Sequence, residues 1–587
     1  MNAVLEARGP SARYLDTVQP ALVRQFELMA TAPGGVARLR ELILTLAVQG
    51  KLVPQDPSDE PASVLLAHVQ ARQRQLVAEG KIKANKPEAQ FGACECPFDV
   101  PVGWEWICAA DACVVVTDGD HQAPPRADSG VPFLVIGDVR DGVVDLDSAT
   151  RFVPQDYFNA LDWGKKPLRG DVLYTTVGSL GIPVPVVQQQ HFCFQRHIAL
   201  LRPGLPELQP FVTLALQSRL AFDQAETGAT GIAQKTVPLS VLRRLRLPLP
   251  PASEQARIVA RVDELMRLCD ALEAKGRLEA EQHARLLGTL LGTLTDSTTS
   301  EELAANWQRV ADHFDLLLDR PEAVDVLEQT ILQLAVRGLL VPQDPSDEPA
   351  SILLDKIIDD RQRLAADGKL SRRPEHSSPL ESSTPFEIPQ GWLWVRFGGY
   401  VHELCTGPFG SVIHKEDYVS GGVPLINPSH MIGGRIQCDL NVAVAPGMAE
   451  QLSAYQLSPG DVLMARRGEV GRYALVTEEE AGWLCGTGSF FVKLAEFCNR
   501  DFFGLMLEDP RFRAYLLGES VGATMTNLNQ RILLHAPLAI PPLAEQARIV
   551  ARVTELRRLC ADLRQRLAAS QAIQSHLAEA LVQATIA

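Results

Sequence analysis

Four short cation clusters punctuate two long stretches of the chain. They are Lys165-Lys166-Pro-Leu-Arg169 and Arg243-Arg244-Leu-Arg246 in one, Arg466-Arg467 and Arg511-x-Arg513 in the other. Nearby stand Asp118-Gly-Asp120-His121-Gln122-Ala-Pro124, Gln195-Arg196-His197 and Asn527-Leu-Asn529-Gln530-Arg531. Guanidinium, carboxamide and carboxylate groups offer paired donors or acceptors, the chemistry that recognises a flat hydrogen-bonding edge, and lysines and hydroxyls hold anions. Each cluster taken alone is most simply a solvated face.

Covalent and metal chemistry find less support. His121 and Asp118 could be drawn as an acid/base pair, but a binding loop explains them as well. Asn427-Pro428-Ser429-His430 approaches the [DNS]-P-P-[FYW] motif of enzymes that methylate amino nitrogens. It lacks the second proline and the aromatic ring that stacks on an extruded base. The Gly-Lys pairs at 50–51, 80–81, 164–165 and 368–369 are followed by Leu, Ile, Lys and Leu. A phosphate-binding loop needs Ser or Thr there. No H-E-x-x-H occurs, and GTGSF (486–490) is no nucleophile elbow. Cys94, Cys96, Cys108 and Cys113 lie close together, but their spacing fits no zinc module. The expectation is a chain with no catalytic residues, metal or cofactor of its own.

Composition narrows the class. A chain of 587 residues is too long for one ordinary core, so two to four domains are expected. Lys and Arg total 56 against 71 Asp and Glu, a formal net charge of −15, which opposes the basic footprint of most nucleic-acid binders. No apolar run is long enough to span a membrane. The start, MNAVLEARGPSARYLD, lacks the apolar core of a secretory signal. Eleven scattered cysteines fit a reducing, cytoplasmic setting.

The elements that must position these clusters are written twice. LAVQGKLVPQDPSDEPASVLL (46–66) returns as LAVRGLLVPQDPSDEPASILL (334–354), with 18 of 21 positions identical at an offset of 288. PFDVPVGWEW (97–106) pairs with PFEIPQGWLW (385–394) at the same offset, and EQARIVARV recurs at 254–262 and 545–553. Two copies at so long a period are not a solenoid; they read as half-molecules related by a pseudo-two-fold axis. The expected divisions are a helical scaffold over 1–90, a variable domain over 91–250, a central scaffold over 251–384, a second variable domain over 385–542 and a final helix over 543–587. The central scaffold comprises a long helix over 252–292, a linker and the helical repeat. Polar stretches at 80–90, 293–302 and 371–384 read as linkers.

Each EQARIVARV segment opens a long helix after Pro-Pro. Ile258, Val262, Leu265, Cys269 and Leu272 are spaced 4, 3, 4, 3, as are Ile549, Val553, Leu556, Cys560 and Leu563. That is a heptad-type stripe. The two stripes could cover each other in an antiparallel pair, or each could dock on its own domain. In the repeated block, Gly50 and Gly338 stand where a left-handed residue ends a helix. The block's near-identity fits either one copied junction or a surface that meets the same partner twice. The variable segments hold short β-like runs between Pro and Gly, the pattern of mixed domains with largely antiparallel sheets. Residues 91–250 carry 13 Lys/Arg and 17 Asp/Glu, and residues 385–542 carry 11 and 16, so neither is basic.

The doubled layout, the Pro-Pro-x-x-Glu-Gln helix starts and the AVQGKLVPQDPSDEPAS block together resemble the specificity subunit of Type I restriction–modification systems. DGDHQAP (118–124) and Gln195-Arg196-His197 resemble elements of that family's target-recognition domains. The second variable segment has TGPFGS (406–411) and GTGSFF (486–491) instead, so its target should differ. The resemblance implies an α+β fold: two mixed α/β target-recognition domains joined by two long antiparallel helices. It implies that each domain reads half of a bipartite, asymmetric double-stranded DNA target while the helices set the gap. It implies two modification subunits as partners, which bind S-adenosylmethionine and methylate adenine, and restriction subunits that use ATP and Mg.

Arg suits guanine, Asn or Gln adenine, and Asp or Glu cytosine, while Lys and hydroxyls suit phosphate. On that basis the first domain's expected DNA contacts are Asp120, His121, Gln122, Arg126, Thr175, Thr176, Ser179, Gln195, Arg196, Gln234 and Lys235. The second domain's are Ser411, His414, Lys415, Arg466, Arg467, Asn527, Asn529, Gln530 and Arg531. Arg196 and Arg466 stand first among them.

Overall fold

The computed structural model describes residues 29–83, 96–119, 124–140, 142–147, 149–231, 234–297, 299–370, 384–408, 412–469, 471–518 and 528–586. They fall into two compact units, one within Met1–Glu279 and Gln571–Ala587, the other within Ala280–Ser570. The helix Ala252–Asp296 starts in the first unit and finishes in the second; the helix Leu543–Ile586 does the reverse. At about 1.5 Å per residue each is about 66 Å long.

Each unit contains a helical hairpin, Gly35–Val48 and Ala62–Ala78 in the first, Pro321–Val336 and Ala350–Ala366 in the second. Gly50 and Gly338 end the leading helices with φ of 69° and 72°. A side chain at Gly50 would also meet the Pro101 ring at 2.5 Å, so glycine is needed twice over.

A buried tryptophan explains why this block is copied so closely. Trp104 donates its indole N–H to Glu254 Oε2 at 2.9 Å, and Gln55 donates to Glu254 Oε1 at 2.7 Å. Arg257 pairs with Asp59 at 2.5 Å. The second unit repeats the set with Trp392 and Gln343 on Glu545 at 3.0 and 2.8 Å, and Arg548 on Asp347 at 2.6 Å. Burial pushes both glutamates above the ordinary carboxylate range. So Gln55 and Asp59 of the PQDPSDE block anchor the first turns of the long helix.

The stripe residues lie in the cores of their own units. Ile258, Val262, Leu265 and Cys269 are buried among Leu39, Leu42 and Leu46, with Leu272 packed at the edge. Ile549, Val553 and Cys560 are buried in the second unit's core, with Leu556 and Leu563 packed against it. Of the two arrangements expected, these residues dock on the short helices of their own units, and Leu581 and Val582 of the other long helix also pack on the first stripe's core. The short helices of each unit already present the apolar face a stripe needs, and Arg40 clamps the first long helix through Asp270 and Glu273, both at 2.7 Å.

The linker expected over 293–302 is largely helical as well. The long helix continues to Asp296, and Thr299 caps the next helix, Ser300–Asp312, by accepting from Glu302 N–H at 3.1 Å. Asn306 donates to Thr293 O and Ser297 Oγ at 3.0 and 2.9 Å. Hydroxyls that read as linker polarity instead serve the orphan groups at helix ends.

Each variable domain rises from a two-stranded neck. Glu105–Cys108 pairs antiparallel with Arg246–Leu249, and Leu393–Arg396 with Pro537–Ile540. Above the first neck, an antiparallel sheet runs in the order Cys113–Asp118, Ile198–Pro203, Val172–Thr175, Pro183–Pro185. The second domain has the same order in Glu403–Thr406, Ser489–Lys493, Val462–Ala465, Tyr473–Leu475. Each domain also has a smaller sheet containing one parallel pair, Phe133–Leu134 with Cys193–Phe194 and Leu425–Ile426 with Leu484–Cys485. Among the described residues no helix is long and apolar enough to cross a membrane.

One acid occupies matching places in the two main sheets but has different company. Asp171 is paired with Arg202 through two contacts of 2.8 Å, and Arg202 stacks over Trp163 at 4.2 Å. Asp461 accepts Ser458 N–H at 2.9 Å, and the matching cation, Lys493, pairs with Glu403 at 3.4 Å. Burial pushes the Asp461 carboxyl up to about 6. A raised folded-state value stabilises below the unfolded value and is lost as pH rises through about 6. Asp461→Asn should therefore gain about 1–3 kcal/mol relative to the parent between pH 5 and pH 8. Asp171→Asn should instead cost about 3–5 kcal/mol at neutral pH by stranding Arg202. Chemical unfolding of both variants across that pH range measures the contrast.

Candidate nucleic-acid interface

In the first domain, strand register gathers several loops at one end of the main sheet. Ile198 stands opposite Thr175, Ala199 opposite Asp118 and Tyr174 opposite Pro183. The chain beyond Asp118, the turn 176–182 and the segment 195–197 therefore leave the sheet together. A side chain at Gly119 would lie 2.3 Å from Phe194 O, so these loops touch. Val237 N–H donates to Thr176 O at 2.9 Å and brings residues 234–237 alongside. Gln195 N–H donates to Leu134 O at 3.0 Å and adds the single 3-10 turn Ile136–Asp138.

The second domain builds the same frame from different residues. Arg466 N–H donates to Gly488 O at 2.8 Å, as Thr176 N–H donates to His197 O at 3.0 Å. Leu528 N–H donates to Arg466 O at 3.0 Å, the counterpart of Val237 on Thr176. Both turns carry left-handed glycines three apart, Gly178 and Gly181 at φ 76° and 84°, Gly468 and Gly471 at 77° and 86°. Two such residues let a strand reverse tightly and lift the residues around it outward. The turn Pro428–His430 stands where Ile136–Asp138 stands, since Gly486 N–H donates to Ile426 O at 2.8 Å.

The frame sorts the expected contacts. Ser179, Arg196 and Gln234 are exposed at the gathered end of the first domain, and Gln195 is half-buried between them. Arg196 Nε lies 3.4 Å from His197 Nε2. Lys235 is exposed and paired with Glu226 at 2.7 Å. Arg126 is exposed before the smaller sheet. In the second domain Arg467 is exposed on the turn, and Arg531 is exposed on the helix Gln530–His535. His414 is exposed, with its N–H on Asp417 at 2.7 Å, and Lys415 opens the turn Lys415–Asp417. Asp120, His121, Gln122, Ser411 and Asn527 lie outside the described residues.

Five expected contacts have structural employment. Thr175 and Thr176 are 0% and 4% exposed; Thr175 Oγ1 accepts from Ile182 N–H at 2.9 Å and Thr176 Oγ1 donates to His197 O at 2.9 Å. They hold the turn and are corrected from contacts to supports. Asn529 caps the helix Gln530–His535 by accepting from Ile532 N–H at 2.9 Å. Gln530 ties that helix to the sheet through Leu404 O and Thr406 Oγ1, at 3.0 and 2.8 Å. Arg466 is half-buried over the Phe490 ring at 5.8 Å and donates Nε–H to Leu528 O at 3.0 Å. Burial pushes the Arg466 guanidinium below its ordinary range.

Sequence reasoning passed over Asn427-Pro428-Ser429-His430 once the methylation motif failed. The structure places this turn at the gathered end, where a side chain at Gly486 would meet Asn427 Oδ1 at 2.4 Å. Arg472 reaches across to Pro428 O at 3.3 Å and joins the turn to Glu469 of the glycine turn. Arg243 was seen only as a charge; it donates to Val116 O at 2.8 Å beside the end of the strand Cys113–Asp118. Its place, five residues beyond Pro238 on a short helix, was the available signal.

Among the described residues no group of three or more His, Cys, Asp or Glu is placed to hold a metal ion. Cys108 and Cys113 are buried, and burial pushes the Cys113 thiol far above its ordinary range. The gathered ends thus offer exposed donors on fixed backbone, the equipment for recognition through hydrogen bonds.

A family model described as the Type I restriction modification DNA specificity domain matches residues 403–570. The specificity subunits of the Type I restriction enzymes EcoEI and EcoAI of Escherichia coli are each 33% identical to the chain, over 584 and 578 residues, and each alignment covers 94% of both proteins. Among solved structures, a chain from work on assembly and conformational transition of the type I R-M system covers 84% of this chain and 99% of its own length. Its identity is 18% and its TM-score 0.46.

The different employments of Arg466 and Arg196 separate in a simple pair of variants. Arg466→Ala should cost about 1–3 kcal/mol of stability by freeing segment 528 from the turn. Arg196→Ala, at an exposed site, should change stability by less than about 0.5 kcal/mol. Denaturant unfolding of the purified chain distinguishes the two.

Proposed function

The chain belongs to the specificity subunits of Type I restriction enzymes, and from that premise we propose how its parts divide the recognition of DNA. It is the sequence-recognition subunit and is not itself an enzyme. In our reading, the domains over 91–250 and 385–542 each read one half of a bipartite, asymmetric duplex target. The observation that carries this is the shared frame at the two gathered ends, which holds different exposed side chains in matching backbone positions. A scaffold alone has no use for one frame that presents different exposed side chains.

The remaining assignments follow from the same frame. Ser179, Gln195, Arg196 and Gln234 contact one half-site, and Arg467, His414, Lys415 and Arg531 the other; Arg126 and Lys235 face phosphates. Asp120, His121, Gln122, Ser411 and Asn527 complete the set from the adjoining loops. The two long helices set the gap, which must keep both readers on one face of a duplex whose turn is about 34–36 Å. Two modification subunits bind the scaffold copies, carry S-adenosylmethionine and methylate adenine. Restriction subunits using ATP and Mg complete the nuclease, and the complex works in the cytoplasm. The exposed Pro54, Asp56, Pro57, Ser58 and Glu60, repeated as Pro342, Asp344, Pro345, Ser346 and Glu348, support one partner docking twice.

Charge decides how the work is shared. With net charges of −4 and −5 in the two readers and −15 in all, the chain supplies few of the phosphate contacts that dominate DNA affinity. The purified chain should therefore bind its target weakly, and the complex with modification subunits tightly and with a steep salt dependence. Fluorescence anisotropy at several salt concentrations reads both; tight, specific binding by the chain alone would contradict the division. Deleting one helical turn within 270–290 should alter the gap and leave both half-sites unchanged. Methylome sequencing tests this, and an unaltered gap would exclude the helices as the spacer.

A further inference from the structure

The two reading frames differ at one coupled pair of positions. In the first domain the turn residue after Thr176 is Val177, 7% exposed, and the residue opposite Thr176 is the half-buried His197. In the second domain the matching residues are Arg467 and Gly488, and Arg467 is exposed. The equivalence is fixed by the bonds Thr176 to His197 and Arg466 to Gly488, and by the pairs Ile198 with Thr175 and Ser489 with Ala465.

Gly488 lies beside that arginine. A side chain at Gly488 would stand 3.8 Å from Arg467 Cβ, from Arg467 Cδ and from Pro428 Cγ. The Arg467 stem therefore passes beside the bare glycine and the Pro428 ring, and the residue is exposed. Gly488 itself stands at φ 81°, a conformation that favours glycine over a residue such as the His197 of the first domain. Next to it, Arg466 holds the turn to Leu528, and Arg472 holds the turn to Pro428. The floor under Arg467 is thus braced from two sides.

We propose that Arg467 is the specificity-determining arginine of the second domain, that it reads a guanine in the second half-site, and that Arg466 only positions it. The first domain, with a buried Val177 at the matching place, delivers its guanidinium from Arg196 instead. The two half-sites are then read by arginines from different loops of one frame. A planar fork on an exposed stem carried by a braced turn suits the paired acceptors O6 and N7 of guanine in the major groove. This rests on the recognition function proposed above.

The test uses the full chain assembled with its modification subunits. Methylome sequencing first defines the parent's two half-sites. Binding is then measured on duplexes substituted singly at each position. Arg467→Ala should weaken cognate binding by about 5- to 150-fold and abolish discrimination at one G·C pair of a single half-site. Arg467→Lys should recover part of the affinity but only part of that discrimination, because it keeps the charge and a donor and loses the planar fork. Equal loss on every duplex would make Arg467 a phosphate contact and overturn the proposal, as would unchanged discrimination in either variant. A parent complex with no bipartite preference would instead overturn the recognition function itself, a result visible before any variant is made.

Discussion

A buried tryptophan–glutamate hydrogen bond sits where four elements of each unit meet. Trp104 lies against the left-handed Gly50 that ends the first helix, and Gly103 O accepts the first N–H of the second helix from Ala62 at 2.8 Å. The same segment continues directly into the neck strand Glu105–Cys108, and the indole reaches the first turn of the long helix at Glu254. Placing a carboxylate inside a protein is costly unless donors meet it. Here the indole and Gln55 meet it, and Arg257 with Asp59 surrounds it. Because helical hairpin, neck and long helix share this node, the direction in which each variable domain leaves the scaffold is set at Trp104 and Trp392.

Above the node, backbone and side chains follow different rules. The main sheets have one strand order, and the turns share glycine positions and inter-loop hydrogen bonds. Buried side chains at matching places solve the same problem differently. Asp171 has a full guanidinium partner on a tryptophan face, while Asp461 shares a lysine's neighbourhood with Glu403. The frame accepts either because the acid's backbone role persists: Leu168 and Ser458 each donate an N–H to that carboxylate, at 2.8 and 2.9 Å.

Much of this was legible in the residues. The 288-residue repeat, the helix starts after Pro-Pro and the Gly50 and Gly338 stops follow from local chemistry that tolerates few alternatives. The long helix outran its expected end because Thr293, Ser297 and Thr299 look like linker until their hydroxyls are seen on backbone and Asn306. At the gathered ends, residue type was informative and direction was not. Arg466 and Arg467 are indistinguishable by chemistry, yet one faces Leu528 and Phe490 and the other faces outward. Thr175 and Thr176 look like phosphate ligands until the tight turn claims their hydroxyls. Which side of a turn a residue takes depends on the partner strand, and that partner lies some twenty residues or more away in sequence.

The neck has a consequence for how such proteins diverge. The first and last strands of each variable domain are hydrogen-bonded neighbours, with Glu105 opposite Leu249 and Leu393 opposite Ile540. Everything between them forms a closed excursion whose two ends leave the scaffold side by side. A genetic crossover that replaces the whole excursion meets the same pair of strand ends. The node below keeps its geometry, so inheritance can treat a reader as a cartridge while the machinery that grips it stays unaltered.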